Sequence, residues 1–193
     1  MRAMTSLRRR LSVTLALVLL AAGALLAVSL QDFQRRLVED YVLSRLHHDA
    51  DLLYVRLLDA VAAAPGPRID PATMGSVGPV YELPLSGHYF LIKRGEQLIR
   101  SRSLWDEDIA MPELGGAVER VQRGDGPAGQ ALLVFAARFP DAGGGLPVTL
   151  VVAEDVTTID AAIADFRLKT FIALALALGL LLILQRRVLV QGL

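Results

Sequence analysis

From Leu11 to Leu30 the chain reads LSVTLALVLLAAGALLAVSL without one charged side chain. A helix of about 20 such residues, rising ~1.5 Å per residue, covers ~30 Å of hydrocarbon, so the pattern predicts a membrane-crossing helix over 11–30. A cleaved signal peptide is the alternative, since Arg8, Arg9 and Arg10 form a basic start and Ala27-Val28-Ser29 has the form of a cleavage site. The apolar core of such a leader is ordinarily ~7–15 residues, shorter than this run. A second uncharged run, Phe171 to Leu184, lies between Arg167 and Lys169 on one side and Arg186 and Arg187 on the other. Basic side chains snorkel to the interface, which lengthens this span to 170–187. The run is apolar on every face, as a lipid-facing helix is and an amphipathic core helix is not.

Between the spans, residues 31–169 carry a different texture. Helical spacing continues after the first span up to Pro65, with Leu43, Leu46, Ala50, Leu53, Leu57, Ala60 and Ala64 forming one apolar stripe. That stripe suits either a heptad seam against a second copy or a face packed on the domain's own sheet; both uses are expected, with dimerisation strongest near the membrane. Ala64-Pro65-Gly66-Pro67 ends the helix, because proline cannot continue it. Short apolar runs separated by turn residues then predict strands over 80–83, 88–93, 97–103, 131–139 and 147–153. Arg94-Gly95-Glu96 predicts a tight hairpin, residues 140–145 a glycine-rich connection, and 113–123 a short helix stopped by Gly124-Asp125-Gly126-Pro127. Arg123-Gly124-Asp125 is read as a turn and not as an adhesion motif. Thr157, with Asp160 three residues on, predicts a capped helix start, and Ile159, Ile163, Phe166 and Thr170 carry helical spacing directly into the second span. The fold class expected is α+β: a membrane helix running into a long helix, an antiparallel five-stranded sheet, and a helix continuous with the second membrane helix.

Composition narrows the function. Hydrophobic residues make up 53% of the chain, and 20 Lys plus Arg balance 20 Asp plus Glu, so there is no broad basic surface for nucleic acid. Cysteine is absent, which excludes disulfides, Cys-ligated zinc, iron-sulfur clusters and thiol nucleophiles. Arg2, Arg8, Arg9 and Arg10 before the first span and Arg186 and Arg187 after the second place both termini in the cytoplasm by the positive-inside rule. Residues 31–169 then lie outside, in the periplasm of a bacterial inner-membrane protein, with residues 1–10 and 188–193 as cytoplasmic segments.

No nucleophile with its base, phosphate-cradling glycine loop or metal-hydrolase spacing is present, so no catalytic residue, cofactor or metal site is assigned. In His47-His48-Asp49 taken with Asp51, His47 and Asp51, four apart on a helix, are the only pair suited to one ion; two ligands are too few, and a solvated face is expected. Asp106, Glu107, Asp108 and Glu113 form an acidic cluster suited to divalent cations bridging to lipid phosphates or to cationic peptides, with ordinary surface charge as the plainer account. Arg100 and Arg102, alternating on a strand, are suited to an anion or to pairing with those carboxylates. Trp105 and Tyr89 are expected in the core rather than in a ligand cage. These seven residues, Tyr89, Arg100, Arg102, Trp105, Asp106, Glu107 and Asp108, are the candidate sensing set. Thr157, Ile163, Phe166, Arg186 and Arg187 mark the candidate transmitting helix.

A helix from the membrane, a sheet of five strands and a helix returning is the plan of PAS-like (PDC-type) extracytoplasmic sensor domains. Tyr81-Glu82-Leu83-Pro84-Leu85-Ser86-Gly87-His88-Tyr89-Phe90, with Arg100-Ser101-Arg102-Ser103-Leu104-Trp105-Asp106, resembles the sensor region of proteobacterial two-component sensor histidine kinases. Gln185-Arg186-Arg187 to Gly192-Leu193 resembles the lead-in to a HAMP linker. The resemblance implies a membrane-embedded homodimer whose full form carries a HAMP segment, a phosphoacceptor-histidine helix and an ATP-binding domain acting on a cognate response regulator. ATP and Mg are expected only for that kinase part: His47, His48 and His88, the three histidines, all fall outside the cytoplasm. A chemoreceptor, a cyclic-dinucleotide enzyme or a non-signalling envelope scaffold are the competing outputs.

Overall fold

A computed structural model of the chain describes residues 2–66, 68–140 and 147–191, with side chains given for 10, 13–66, 68–140, 147–184 and 187. The elements are helix α1 (Arg2–Ala63), strands β1 (His88–Arg94), β2 (Gln97–Arg100), β3 (Glu119–Asp125), β4 (Ala131–Phe139) and β5 (Val148–Asp155), and helix α2 (Thr157–Gln191). The five strands form one antiparallel sheet in the order β2-β1-β5-β4-β3, which makes the fold α+β. Two helices, α1 and α2, are long and apolar enough to cross a membrane, and they flank the sheet in the chain.

The chain divides into two compact units. Val38–Ile159 is one; Met1–Leu37 with Asp160–Leu193 is the other. In the first, the three central strands are buried on both faces, which is why they read as continuous apolar runs rather than alternating ones. Phe90, Ile92, Phe135, Leu150 and Val152 face α1, where Val42, Leu46, Ala50, Leu53, Leu57 and Ala60 cover them. The apolar stripe of the long helix is thus occupied by the domain's own sheet along residues 42–60. Tyr89, Leu91, Val134, Ala136 and Val151 face the other way and are covered by Leu104, Ile109 and Leu114 from the β2–β3 connection.

Three sequence expectations are corrected. Residues 80–83 are not a strand: Pro79–Tyr81 is a 3-10 turn that drives Tyr81 into the core, and prolines 79 and 84 have no N–H to feed a ladder. β2 stops at Arg100, and Arg102–Leu104 is a second 3-10 turn. Residues 113–123 are not a helix. Leu114 is used to cover the sheet, Gly115 sits at φ 54°, and Glu119–Asp125 pairs with β4 as an edge strand. Two adjacent glycines cost a helix about 1 kcal/mol each, and a charged, evenly polar strand is what protects an open edge. The hairpin at Gly95-Glu96 has its Arg94↔Gln97 closing pair, with Gly95 at φ 56°. Of the expected 140–145 connection, residues 141–145 lie outside the described part, as do residue 146 and Gly192 and Leu193 at the expected linker.

In the second unit, Ala16 and Ala27 of α1 are buried, and a methyl group at Gly23 would lie 2.9 Å from Cδ1 of Leu174 on α2. Gly23 thus packs against Leu174, and the buried positions of this α1 segment are small residues.

Candidate functional site

The expected sensing set divides between the two faces of the sheet. Tyr89 is fully buried with Leu91 and Leu104; its hydroxyl donates to Gln130 Oε1 at 2.6 Å and accepts the Gly87 amide at 3.3 Å, and burial raises its phenol above the ordinary value. It is core, as its apolar context suggested. Trp105 is not core: it is 65% exposed, and its φ of 53° is costly for a bulky residue.

Where β2 ends, two buried serines complete the bonding of β1. The Ser101 amide donates to the Phe90 carbonyl at 3.0 Å and its Oγ accepts the Phe90 amide at 3.1 Å. Ser103 Oγ donates to the His88 carbonyl at 2.5 Å and lies 2.9 Å from Ser101 Oγ. This tight return directs Arg100 outward. Its Nη1 lies 3.0 Å from Asp108 Oδ1, and its Nη2 donates to the carbonyls of Trp105, at 3.2 Å, and Glu107. Of the two accounts open for Arg100, pairing with the acidic loop is the one seen. Asp106 faces solvent, and among the described residues no three carboxylates or histidines converge as metal ligands. Arg102 reaches the other way, with Nη1 3.5 Å from Glu82 Oε2.

Arg100 and Arg102 nevertheless border a common cavity of about 290 Å³ on the α1-facing side of the sheet. Its floor is Met74, Tyr81, Phe90 and Ile99, and Glu82 joins the arginines at the rim. Its volume falls at the small end of ligand pockets, and its lining is mixed, with an apolar floor and a polar, charged rim.

Beside it lies a polar cluster that the sequence pattern did not announce. Arg45 and Asp49, one turn apart on α1, both point at the end of the sheet. Arg45 Nε donates to Glu154 Oε2 at 2.8 Å, and Glu154 is only 5% exposed. The Tyr81 hydroxyl donates to Asp49 Oδ2 at 2.5 Å; burial and that bond push its phenol far above the ordinary value, so it stays protonated. His88 is the register partner of Glu154, and its ring meets Tyr81 edge-on at 6.3 Å. Burial, and then the Arg45 charge, hold it below the usual imidazole value of 6.5. Glu154 was the readable signal, a carboxylate that directly follows the apolar run 150–153 and, unlike the adjacent Asp155, is buried. Its partner was not readable, because 109 residues separate the two.

His47 lies at the edge of the solvated face expected for it: its side chain is 41% exposed, its ring lies 4.1 Å from that of Phe135, Nδ1 is 2.9 Å from the Leu43 carbonyl, and Nε2 is 3.5 Å from Glu119. Thr157 opens α2, with its amide donating to Asp155 Oδ1 at 2.8 Å and its hydroxyl accepting the Ala131 amide at 2.9 Å. Ile163, Phe166, Arg186 and Arg187 follow on the same helix; Ile163 is half-buried, Phe166 and Arg187 are exposed, and the Arg186 side chain lies outside the described part.

The sheet domain thus lies in the chain between two helices that are each apolar and long enough to cross a bilayer. The chain is 38% identical over 184 residues, 95% of its length, to Sensor protein kinase CarS of Pseudomonas aeruginosa. The resemblance to the N-terminal part of a sensor histidine kinase is thereby supported over nearly the whole chain, and it is consistent with an inner-membrane protein. The chain spans 39% of that relative's length. No family model matches, and no solved structure matches.

Proposed function

We propose that this chain is the signal-sensing input module of a two-component sensor histidine kinase, a two-pass inner-membrane homodimer with a PAS-like periplasmic domain and both termini in the cytoplasm. The observation that carries it is similarity across 95% of the chain to a protein named as a sensor kinase. Its element order supports the transmitting role: α2 begins two residues after the central strand β5 and runs through the apolar span as one helix. A signal in the outer domain then biases the packing of α1 and α2, and a small displacement of α2 reaches a HAMP segment and kinase whose ATP, Mg and response-regulator chemistry lie beyond these residues.

The test is a fusion of residues 1–193 to a kinase output module of known activity. One residue inserted beside Gln185 rotates everything after it by ~100° on a helix, and output is expected to switch level with each single insertion and return toward its starting level as the helical repeat completes. Output indifferent to every insertion overturns transmission through a continuous helix.

A further inference from the structure

We propose that the cavity between residues 71–82 and strands β1 and β2 binds a small monocarboxylate with an apolar body, Arg102 holding the carboxylate and Tyr81 conveying occupancy to α1. The proposal rests on the sensor reading for its purpose but not for its test.

The rim supplies one displaceable cation. Arg100 is already engaged with Asp108 and two carbonyls, which occupies its donors and compensates its charge. Arg102 is 81% exposed, and its contact with Glu82 is 3.5 Å, longer than the ~2.7–2.9 Å of a well-formed guanidinium–carboxylate pair. Exposed pairs of this kind contribute little stability, so an incoming carboxylate replaces Glu82 at small cost. Glu82 shows what chemistry the position accepts: a carboxylate already sits there. The floor of Met74, Phe90, Ile99 and the Tyr81 ring rewards an aliphatic or aromatic body and offers a bare inorganic anion nothing.

The same segment ties the cavity to α1. Glu82 is the neighbour of Tyr81, whose ring walls the cavity and whose hydroxyl donates to Asp49 of α1 at 2.5 Å. Release of Glu82 and filling of the floor therefore both act on the residue that touches α1.

Calorimetric titration of the full chain in lipid nanodiscs, with benzoate, hexanoate, their neutral amides and inorganic phosphate, tests this. Both carboxylates are expected to bind, with amides and phosphate about tenfold weaker or more, and Arg102→Ala to lose about tenfold for the acids, the worth of a charged hydrogen bond. Arg102 and Ala72 are exposed, so Arg102→Ala and a plugging variant, Ala72→Trp, leave the fold intact; the second is expected to abolish binding. Hydrogen exchange in residues 45–53 is expected to change on benzoate addition in the parent chain and not in Tyr81→Phe, which keeps the ring. Carboxylates that fail to bind at millimolar concentration, amides or phosphate that bind as well, or an unchanged Arg102→Ala overturn the site. Unchanged exchange in the parent chain overturns the link to α1. A chain that binds none of these yet switches a fused kinase overturns this proposal alone and leaves the sensor reading standing.

Discussion

Glu154 and Arg45 share an ion pair but not an environment: the carboxylate is 5% exposed, while the arginine side chain keeps 41% of its surface in water. Removing one partner is therefore not equivalent to removing the other. Arg45→Met strands a buried carboxylate and is expected to lower stability by about 2–4 kcal/mol, somewhat under the range for fully buried pairs because water reaches the arginine. Glu154→Gln leaves a guanidinium that water can solvate and is expected to cost ~1 kcal/mol. Thermal unfolding of the two variants checks this, and equal losses would contradict the asymmetry. His88 adds a pH dependence whose sign follows from its surroundings. Burial and Arg45 depress its folded value below 6.5, while Asp49 and Asp155 oppose them. As pH falls through 6.5 the unfolded chain takes up a proton that the folded chain resists, so stability falls down to the depressed folded value and no further. His88→Asn is expected to flatten this limb of the stability profile between pH 6.5 and the onset of carboxylate titration. Arg100→Ala has a built-in reporter: Trp105, the one tryptophan, belongs to the loop that Arg100 clamps through Asp108 and two carbonyls. Fluorescence anisotropy is expected to drop as the strained φ of Trp105 relaxes, with little change in overall melting. Pairing of Arg100 with the acidic run was one of two readings open in the sequence; its carbonyl partners and the Asp49–Tyr81 bond were not legible, because residue type states what a side chain can bind and not where a 3-10 turn aims it.

At the scale of elements, the long helices, the three central strands and the hairpin were legible because burial on two faces or on one stripe leaves an unbroken or periodic apolar signal. The edge strand β3 left none. Glu119, Arg120, Gln122 and Arg123 give it the look of a polar helix, and what makes it a strand is its pairing with β4, a long-range fact. Residues 80–83 failed in the opposite sense: a β-like composition lay between two prolines that forbid a ladder. Helix packing in the second, all-helical unit gives a sharper handle. The atom nearest a Cβ at Gly23 is the terminal Cδ1 of Leu174, 2.9 Å away, which can rotate aside for a single methyl. Gly23→Ala is thus expected to be tolerated, while Gly23→Ile, whose branch cannot be cleared by one rotamer, lowers the unfolding temperature in nanodiscs. Gly179, where an added methyl would meet nothing within 4 Å, is the control: Gly179→Ile is expected to leave the melting point unchanged or raise it by removing a helix-interior glycine.

For the molecule as a whole, orientation is the property on which every functional statement depends, and charge bias supports it by a narrow margin. Arg2, Arg8, Arg9 and Arg10 stand before the first span and only Arg35 and Arg36 close behind it; around the second span the balance is even, Arg167 and Lys169 against Arg186 and Arg187. Acidic neighbours carry little weight in this rule, so the first span decides, and its basic flank favours a cytoplasmic N-terminus. In the proposed two-pass arrangement the C-terminus then lies on the same side as the N-terminus, and the sheet on the other. The absence of cysteine makes the matter directly measurable, since any single introduced thiol is the only one in the chain. Leu98, exposed on β2, and Arg187, exposed near the end of α2, sit on opposite sides of the second span in this arrangement. In cells with a permeabilised outer membrane, a membrane-impermeant maleimide is expected to label Leu98→Cys at once and Arg187→Cys only after lysis. Labelling in the reverse order would put the sheet and the proposed carboxylate cavity in the cytoplasm, and with them the wrong face of α2 toward any kinase. Labelling of both before lysis would mean that the second apolar run does not cross, leaving α2 no route by which to carry a signal.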